Sequence, residues 1–299
     1  MSPDGGGLCG ILLLDKPLGL SSNAALQRVR QLLGRPKAGH TGSLDPLATG
    51  MLPICIGEAT KLAGELLAGA KAYTVEMKLG ERTDTGDAEG QVVERGPLPA
   101  LDPVSIEAAL ASQRGPQLQV PPMYSALKRD GQPLYRLARQ GLTVERAPRS
   151  IRIDVLELLD HTASALRLRV ECSKGTYIRT LVEQVAGRLG TCAHVVGLRR
   201  DFVEPFQREA MHTLDALQRG VEAPPLLAAD RAVGHLPEVP LAEAEARALR
   251  QGQAVRLPLV PEGRVRLYGV GGQFMGLGAA VADGSGNSIV RPVRLFATA

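Results

Sequence analysis

Residues 39–50 read Gly39-His40-Thr41-Gly42-Ser43-Leu44-Asp45-Pro46-Leu47-Ala48-Thr49-Gly50. Three glycines, a histidine, two threonines, a serine and an aspartate fall within these twelve positions. Glycine permits backbone angles closed to other residues and lets a ligand approach the chain. Aspartate before proline is held out of the helical region. The stretch lies between an amphipathic helix and an apolar strand, so the chain mixes both element types from its start. It is not a P-loop, because no Gly-Lys-Ser/Thr follows. Asp45 is either a fixed carboxylate on a loop top, where catalytic groups are often placed, or part of an Asx-type turn without chemistry.

Upstream, Gly10 to Leu14 is an apolar run stopped by Asp15-Lys16-Pro17, which reads as a buried strand entering a turn. Ser22 is placed to cap a helix that sets Ala25, Leu26, Val29, Leu32 and Leu33 on one face, with Gly34 and Pro36 ending it. Downstream, a strand from Met51 to Ile56 and a helix from Glu58 to Ala68 are expected. Between Lys71 and Leu79 the pattern alternates, with Tyr73, Val75, Met77 and Leu79 on one face. A polar turn spans residues 80–90, and a helix is expected from Asp102 to Arg114. The prolines at 121 and 122 impose extended backbone around them. Strands are expected over residues 151–158 and 165–172. A helix then turns Ile178, Leu181, Val182, Val185 and Leu189 inward. This irregular alternation predicts an α/β (α+β) body. Past Pro237–Pro240, one short helix and four glycine-separated β-like runs predict a small β-rich appended domain.

The chain has 299 residues, 44% hydrophobic and 22% charged, with a net charge of +4. That composition excludes wholesale disorder and collagen-like repetition. No apolar run approaches the ~18–20 residues that span a bilayer, and no secretory signal is visible at the start. The four cysteines (Cys9, Cys55, Cys172 and Cys192) form no C-x-x-C pair, which weakens zinc and redox readings and favours buried free thiols.

Three other stretches bear on chemistry. Asp84-Thr85-Gly86 matches the aspartic-protease triplet, but Arg82-Thr83 precede it in place of an apolar strand and no second copy exists, so a polar turn is the plain alternative. Residues 124–152 carry seven basic side chains against two acidic ones, with Tyr124 and Tyr135 among them. Basic groups interleaved with aromatics suit a nucleic-acid backbone and its bases, whereas the plainer meaning of a charge run is a solvated face. Finally, Lys174-Gly175-Thr176-Tyr177-Ile178-Arg179 falls at a strand-to-helix junction. Arg179 in a first helical turn opposes the helix dipole, so it either meets an anionic partner or snorkels to solvent.

Taken together, these stretches resemble the tRNA pseudouridine-55 synthases of the TruB family. The resemblance rests on Gly10-Ile11-Leu12-Leu13-Leu14-Asp15-Lys16-Pro17, the loop 39–46, Ala72-Tyr73-Thr74, Thr83-Asp84-Thr85-Gly86-Asp87, residues 119–128, Gly175-Thr176-Tyr177-Ile178-Arg179 and Leu198-Arg199-Arg200, in the family's order. It implies a pseudouridine synthase fold: a mixed, mostly antiparallel central sheet flanked by helices over residues 10–238, and a small C-terminal β-barrel of PUA type over 239–299. Residues 1–9 would be a flexible N-terminus and 124–152 a basic RNA-binding insertion. The implied reaction detaches uracil from its ribose, rotates it and rejoins it through C5, after the base is flipped out of the T-stem-loop of tRNA. By the same resemblance Asp45 is the catalytic carboxylate, Arg179 its pairing arginine, and Tyr73 the residue that stacks on the base and assists proton removal. Tyr177 and Leu198 line the pocket, His40 holds the base out, Asp87 contacts flipped bases, and Lys128 and Arg129 belong to the RNA-gripping insertion. Lys16 and Pro17 brace the strand beside the site. No cofactor or metal is implied, and a cytoplasmic monomer is expected. The alternative is a non-catalytic RNA-binding or tRNA-folding protein on the same scaffold.

Overall fold

The opening apolar run forms strand β1 (Gly10–Lys16), and the amphipathic stretch after it forms helix α1 (Ser22–Leu32). The short β2 (Ala38–His40) and the long β3 (Ala48–Ile56) flank the glycine-rich loop. A 3-10 turn (Gly57–Leu62) then leads into α2 (Ala63–Ala68), where one helix from Glu58 was expected. Gly57 takes φ +62°, a value foreign to a right-handed helix, so the chain must turn before it coils. β4 (Lys71–Leu79) keeps its alternation, and β5 (Glu81–Thr83) pairs with β6 (Val92–Arg95) as a small ribbon inside the expected turn region. Helix α3 (Pro103–Ala111) follows, capped by Asp102, and then β7 (Gly115–Gln119). The basic segment holds a two-strand hairpin, β8 (Lys128–Arg129) and β9 (Gln132–Pro133), and helix α4 (Leu134–Arg139). β10 (Arg149–Thr162), β11 (Ala165–Cys172), α5 (Ile178–Arg188), β12 (Ala193–Val203) and α6 (Leu214–Gln218) come next. The C-terminal unit runs β13 (Glu238–Pro240), α7 (Glu243–Arg250), β14 (Val255–Pro258), β15 (Gly263–Tyr268), β16 (Phe274–Ala282) and β17 (Asn287–Leu295). The computed structural model describes residues 8–220 and 225–297, so the N-terminal stretch expected to be flexible lies, apart from Leu8 and Cys9, outside the described residues.

The central sheet has strand order β1-β3-β12-β4-β11-β10-β7, with β2 added beside β3. Every pair is antiparallel except β3 and β12. This is the mixed, mostly antiparallel sheet expected. One face of β4 and β11, with Val75, Met77, Leu168 and Val170, packs under α3 and α5. Leu12, Leu14, Leu52 and Ile54 pack with Ala25, Leu26 and Val29 of α1. The second sheet has order β13-β15-β16-β17-β14 and its own core around Val265, Leu267 and Val290. Its Leu277, with Phe274 and Phe296, also joins a core that includes Ile11, Met51 and Phe206 of the body.

Two details position the functional loop. The helix cap is Ser21, not Ser22: the Ser21 Oγ accepts from Ala24 N at 3.1 Å. Ser22 instead turns inward, and its hydroxyl accepts from Leu44 N at 2.7 Å and donates to Leu44 O at 3.0 Å, which pins the loop one residue before Asp45. Gly50 adopts φ +94° where β3 meets β12, and a Cβ there would lie 2.2 Å from Arg200 O. Only glycine fits that approach.

Candidate active site

The loop 41–47 crosses the end of the sheet and is held from several sides. The Lys16 ammonium, fully buried, donates to Pro17 O and Leu20 O at 2.9 and 2.6 Å. Burial lowers its pKa to about 8. Gly19 N donates to Pro46 O at 2.9 Å, and Thr41 N donates to Pro53 O at 2.9 Å. Lys16 also donates to Pro46 O of the loop at 3.4 Å, where the sequence reading had it bracing the strand. The loop presents the Asp45 carboxylate to a pocket of about 260 Å³.

Arg179 meets that carboxylate. It is the second residue of α5 and only 6% exposed, so it does not snorkel to solvent. Its Nη2 lies 3.1 Å from Asp45 Oδ2, and its Nη1 lies 3.6 Å from Asp87 Oδ2. The same two nitrogens donate to Tyr124 O at 2.7 Å and Thr85 O at 2.6 Å. One guanidinium therefore bridges two carboxylates and is fixed by two carbonyls, the kind of planar fork that arginine alone supplies. The Asp45 side chain keeps 45% of its surface open to the pocket. Loss of hydration raises its pKa, and Arg179 pulls it back down.

Tyr73 sits in β4 opposite Val170 and Arg200, 8% exposed, with its ring on the pocket wall. Burial raises its pKa, so the phenol keeps its proton at neutral pH. That suits stacking on a base better than removing a proton. Tyr177, the residue before α5, and Leu198 of β12 complete the wall.

Four sequence-selected residues lie outside this pocket lining. His40 ends β2, and its Nδ1 is buried without a hydrogen-bond partner among the described residues. Burial lowers its pKa, which favours the neutral ring. Asp87 is 4% exposed and stands behind Arg179, its Oδ1 accepting from Thr85 Oγ1 at 2.6 Å and Glu89 N at 3.1 Å. Lys128 and Arg129 are exposed on the β8–β9 hairpin. The pocket also holds side chains that the sequence did not flag. Arg200 is 1% exposed, and it donates from Nε to Met51 O at 2.7 Å and from Nη2 to Gly42 O at 3.0 Å. Lys71 is 7% exposed and caps carbonyls after α2, with its pKa lowered to about 8 by burial. Ser125 is 5% exposed. Buried cations carry no periodic signature, and Arg200 entered the sequence reading only as the last residue of the Leu198-Arg199-Arg200 motif.

The Asp84-Thr85-Gly86 triplet is a turn. Asp84 Oδ1 accepts from Gln91 N at 2.8 Å. Larger clefts of about 600 and 660 Å³ flank Arg199, but Asp45 and Arg179 are in neither. Among the described residues no three His, Cys, Asp or Glu side chains converge to hold a metal, and no helix is long and apolar enough to cross a membrane.

The pocket thus sets a loop carboxylate against a buried arginine and a buried tyrosine ring. Residues 30–178 match the model of the TruB family pseudouridylate synthase N-terminal domain, and residues 237–296 match that of the pseudouridine synthase II TruB C-terminal region. The tRNA pseudouridine synthase B of Stutzerimonas stutzeri is 53% identical over 283 residues, 92% of each chain. The chain belongs to the TruB family. A TruB relative from Aromatoleum aromaticum, also a tRNA pseudouridine synthase B, is 49% identical over 97% of this chain and 93% of its own. A chain from an H/ACA ribonucleoprotein bound to a substrate RNA containing 2'-deoxyuridine superposes with a TM-score of 0.72. It covers 97% of this chain and 85% of that one at 22% identity, and so shares the fold. Of the TruB motif residues named above, Asp45, Tyr73, Tyr177, Arg179, Leu198 and Arg200 line the pocket.

Proposed function

We propose that the chain isomerises uridine 55 in the T-stem-loop of tRNA to pseudouridine, with Asp45 as the catalytic carboxylate. One observation carries this reading: the Asp45 carboxylate is paired at 3.1 Å with the buried Arg179, in a pocket walled by Tyr73. A protein that only bound RNA would gain nothing from a carboxylate facing a phosphate-rich ligand. Arg179 keeps Asp45 ionised against the loss of hydration. The carboxylate then attacks the flipped nucleotide, or stabilises positive charge at C1′, as the C1′–N1 bond breaks. The freed uracil turns against the Tyr73 ring, and C5 bonds to C1′ as any bond between Asp45 and the nucleotide breaks and frees the carboxylate. C5 gives up its proton to solvent and N1, which lost its bond to C1′, takes one up, so atoms and charge balance with no redox partner and no group donor.

His40, neutral and beside the loop, packs into the space that the flipped base vacates. Leu198 and Tyr177 confine the base. Asp87 acts from behind Arg179. Lys128 and Arg129 grip the stem with the rest of the basic insertion at 124–152. Residues 10–238 form the catalytic body, and residues 239–299 a PUA-like RNA-binding unit. The chain acts as a monomer in this reading. Three buried free thiols, Cys55, Cys172 and Cys192, suit a reducing cytoplasm.

The test uses unmodified tRNA transcript tritiated at C5 of its uridines. Wild type should release one equivalent of tritium per tRNA. Asp45→Asn should release none while binding the same RNA. Release by Asp45→Asn at the normal rate would remove Asp45 from the mechanism. Salt-dependent binding without release by wild type would favour the RNA-binding alternative.

A further inference from the structure

Residues 16–44 run between two aspartates and hold no acidic residue of their own. They carry five cations: Lys16, Arg28, Arg30, Arg35 and Lys37. Both bounding acids are engaged elsewhere, Asp15 by Arg199 at 3.0 Å and Asp45 by Arg179 at 3.1 Å. Gly57 N donates to Lys37 O, and Glu58, the residue after it, is held by Lys61 at 2.5 Å. The positive charge where α1 gives way to β2 is therefore not answered locally.

Three of these cations meet at that corner. Arg30 is half-buried and fixed, its Nε donating to Pro36 O at 3.0 Å and its Nη1 to Gln27 Oε1 at 3.0 Å. Arg35 and Lys37 are exposed. Gln27, Arg30 and Gln31 share one face of α1, and with Arg35 they line a hollow of about 330 Å³. Two successive left-handed residues bring Arg35 there, Gly34 at φ +77° and Arg35 at φ +63°, with Arg35 N donating to Arg30 O at 2.6 Å. That conformation suits glycine and is unfavourable for a residue with a Cβ. Among the described non-glycine residues only Asp130 shares a positive φ. An arginine held in a strained turn, where glycine would sit more easily, points to a use for its side chain.

We propose that the α1–β2 corner is a second grip on the tRNA backbone, across the Asp45 pocket from the basic insertion, with Arg30, Arg35 and Lys37 as its phosphate contacts. The sheet order sets this placement. β1, β3 and β2 make one end of the sheet, and the insertion leaves and rejoins it between β7 and β10 at the other. Tyr73 on β4 and Leu198 on β12 lie between the two. β2 leads from the corner to His40, so Lys37 stands about 10 Å along the chain from the residue at the catalytic loop. Guanidinium forks match phosphate oxygens, and the two glutamine amides suit ribose hydroxyls. Among the described residues no aromatic ring lines the hollow, so it holds backbone and stacks no base. A polyanionic substrate seated this close answers the charge without a further partner. The inference rests on the tRNA reading above.

The test pairs Arg35→Gly with Lys37→Gln, which removes two exposed charges. Glycine fits φ +63° better than arginine, so this double variant should melt no lower than wild type. With full-length tRNA transcript, its plot of log Kd against log salt should flatten by about two units, one for each lost phosphate contact. In tritium release its KM should rise about tenfold while kcat at saturating tRNA holds. Arg35→Lys with Lys37→Arg keeps both charges and should keep the wild-type slope. Joined to Lys128→Ala and Arg129→Ala, the losses of slope should add, since the two sides hold different phosphates. An unchanged slope and KM in the first double variant, with wild type still releasing tritium, would overturn the second grip alone and give the patch to a partner other than RNA. An equal loss in the charge-keeping pair would trace the effect to the shape of the turn and would overturn it too. A wild type that neither binds nor isomerises tRNA would overturn the tRNA reading itself.

Discussion

Arg179 answers two carboxylates at once, and the consequences are specific to that residue. Arg179→Gln would leave Asp87, with a side chain 5% exposed, buried opposite no cation. A buried pair broken on one side costs about 3–5 kcal/mol, so the variant should melt well below wild type and lose most of its activity. Arg179→Lys keeps the charge but cannot span both carboxylates and both carbonyls, and should recover stability better than rate. Asp45 adds a pH signature. Lost hydration raises its pKa above 3.8, the ordinary aspartate value, and the proposed mechanism uses the ionised form. Activity should therefore rise with pH along an acid limb whose midpoint lies above 3.8. In Arg179→Gln the opposing charge is gone, so residual activity should show that limb at still higher pH. A limb at or below the ordinary aspartate value would mean that another group titrates. Asp45 and Arg179 stood out in the sequence because a Gly-rich loop and a misplaced first-turn charge each break a local rule, whereas Tyr73 obeys the strand alternation and entered the candidate site through the family resemblance. Arg200 and Lys71 did not stand out, since a buried cation satisfied by distant carbonyls looks in sequence like any surface one.

β12 shows why an element at the centre of the sheet can be invisible from its residues. It pairs with both β3 and β4, yet its ladder to β4 shifts register at Val195/Gly197 and again at Arg200/Phe202. Each shift flips the face that the next residue occupies, so the period of two is lost. The same irregularity brings Leu198 and Arg200 to the pocket. β4, with no such break, was legible in full. Where β12 crosses β3, Gly50 lets the two backbones meet, and the clash that a Cβ would make there is with backbone, which cannot swing aside. Gly50→Ala should cost about 2–4 kcal/mol in chemical denaturation and displace the adjoining catalytic loop. A change under about 0.5 kcal/mol would show that the crossing relaxes freely. The basic insertion is an element of a different kind. It leaves the sheet at Gln119 and returns opposite it at Arg149. Its Lys128 and Arg129 are exposed, and replacing both with Ala should weaken tRNA binding and flatten its dependence on log salt by about one unit for each lost phosphate contact. An unchanged slope would place the RNA elsewhere.

Across the whole molecule, the question is whether the two sheets are one folding unit. Each has apolar packing of its own, but a further core lies across their junction and takes Leu277, Phe274 and Phe296 from one side and Ile11, Met51 and Phe206 from the other. Polar ties run beside it. Arg264 Nη1 lies 2.6 Å from Glu65 Oε1, and Lys61 Nζ donates to Leu295 O at 2.8 Å. Exposed ion pairs of this kind contribute little, so the shared apolar core must supply the coupling. The Phe274 ring packs against that junction core, lying tilted to Tyr268 with ring centroids 5.5 Å apart and edge-on to Phe296 at 5.2 Å. Phe274→Ala removes the ring without touching the Asp45 pocket. If the junction couples the sheets, the variant should unfold in one transition at a lower temperature, destabilised by about 2–4 kcal/mol, with calorimetric and van't Hoff enthalpies still equal. If the sheets are independent, the variant should instead show two transitions, and only the one belonging to the C-terminal sheet should move. The β1 strand that lines this junction through Ile11 also ends in Lys16, whose ammonium donates to Pro46 O of the Asp45 loop at 3.4 Å. Loosening the C-terminal unit should therefore reach Asp45 through that strand, and Phe274→Ala should lose turnover as it nears its melting point before it loses tRNA binding by the insertion.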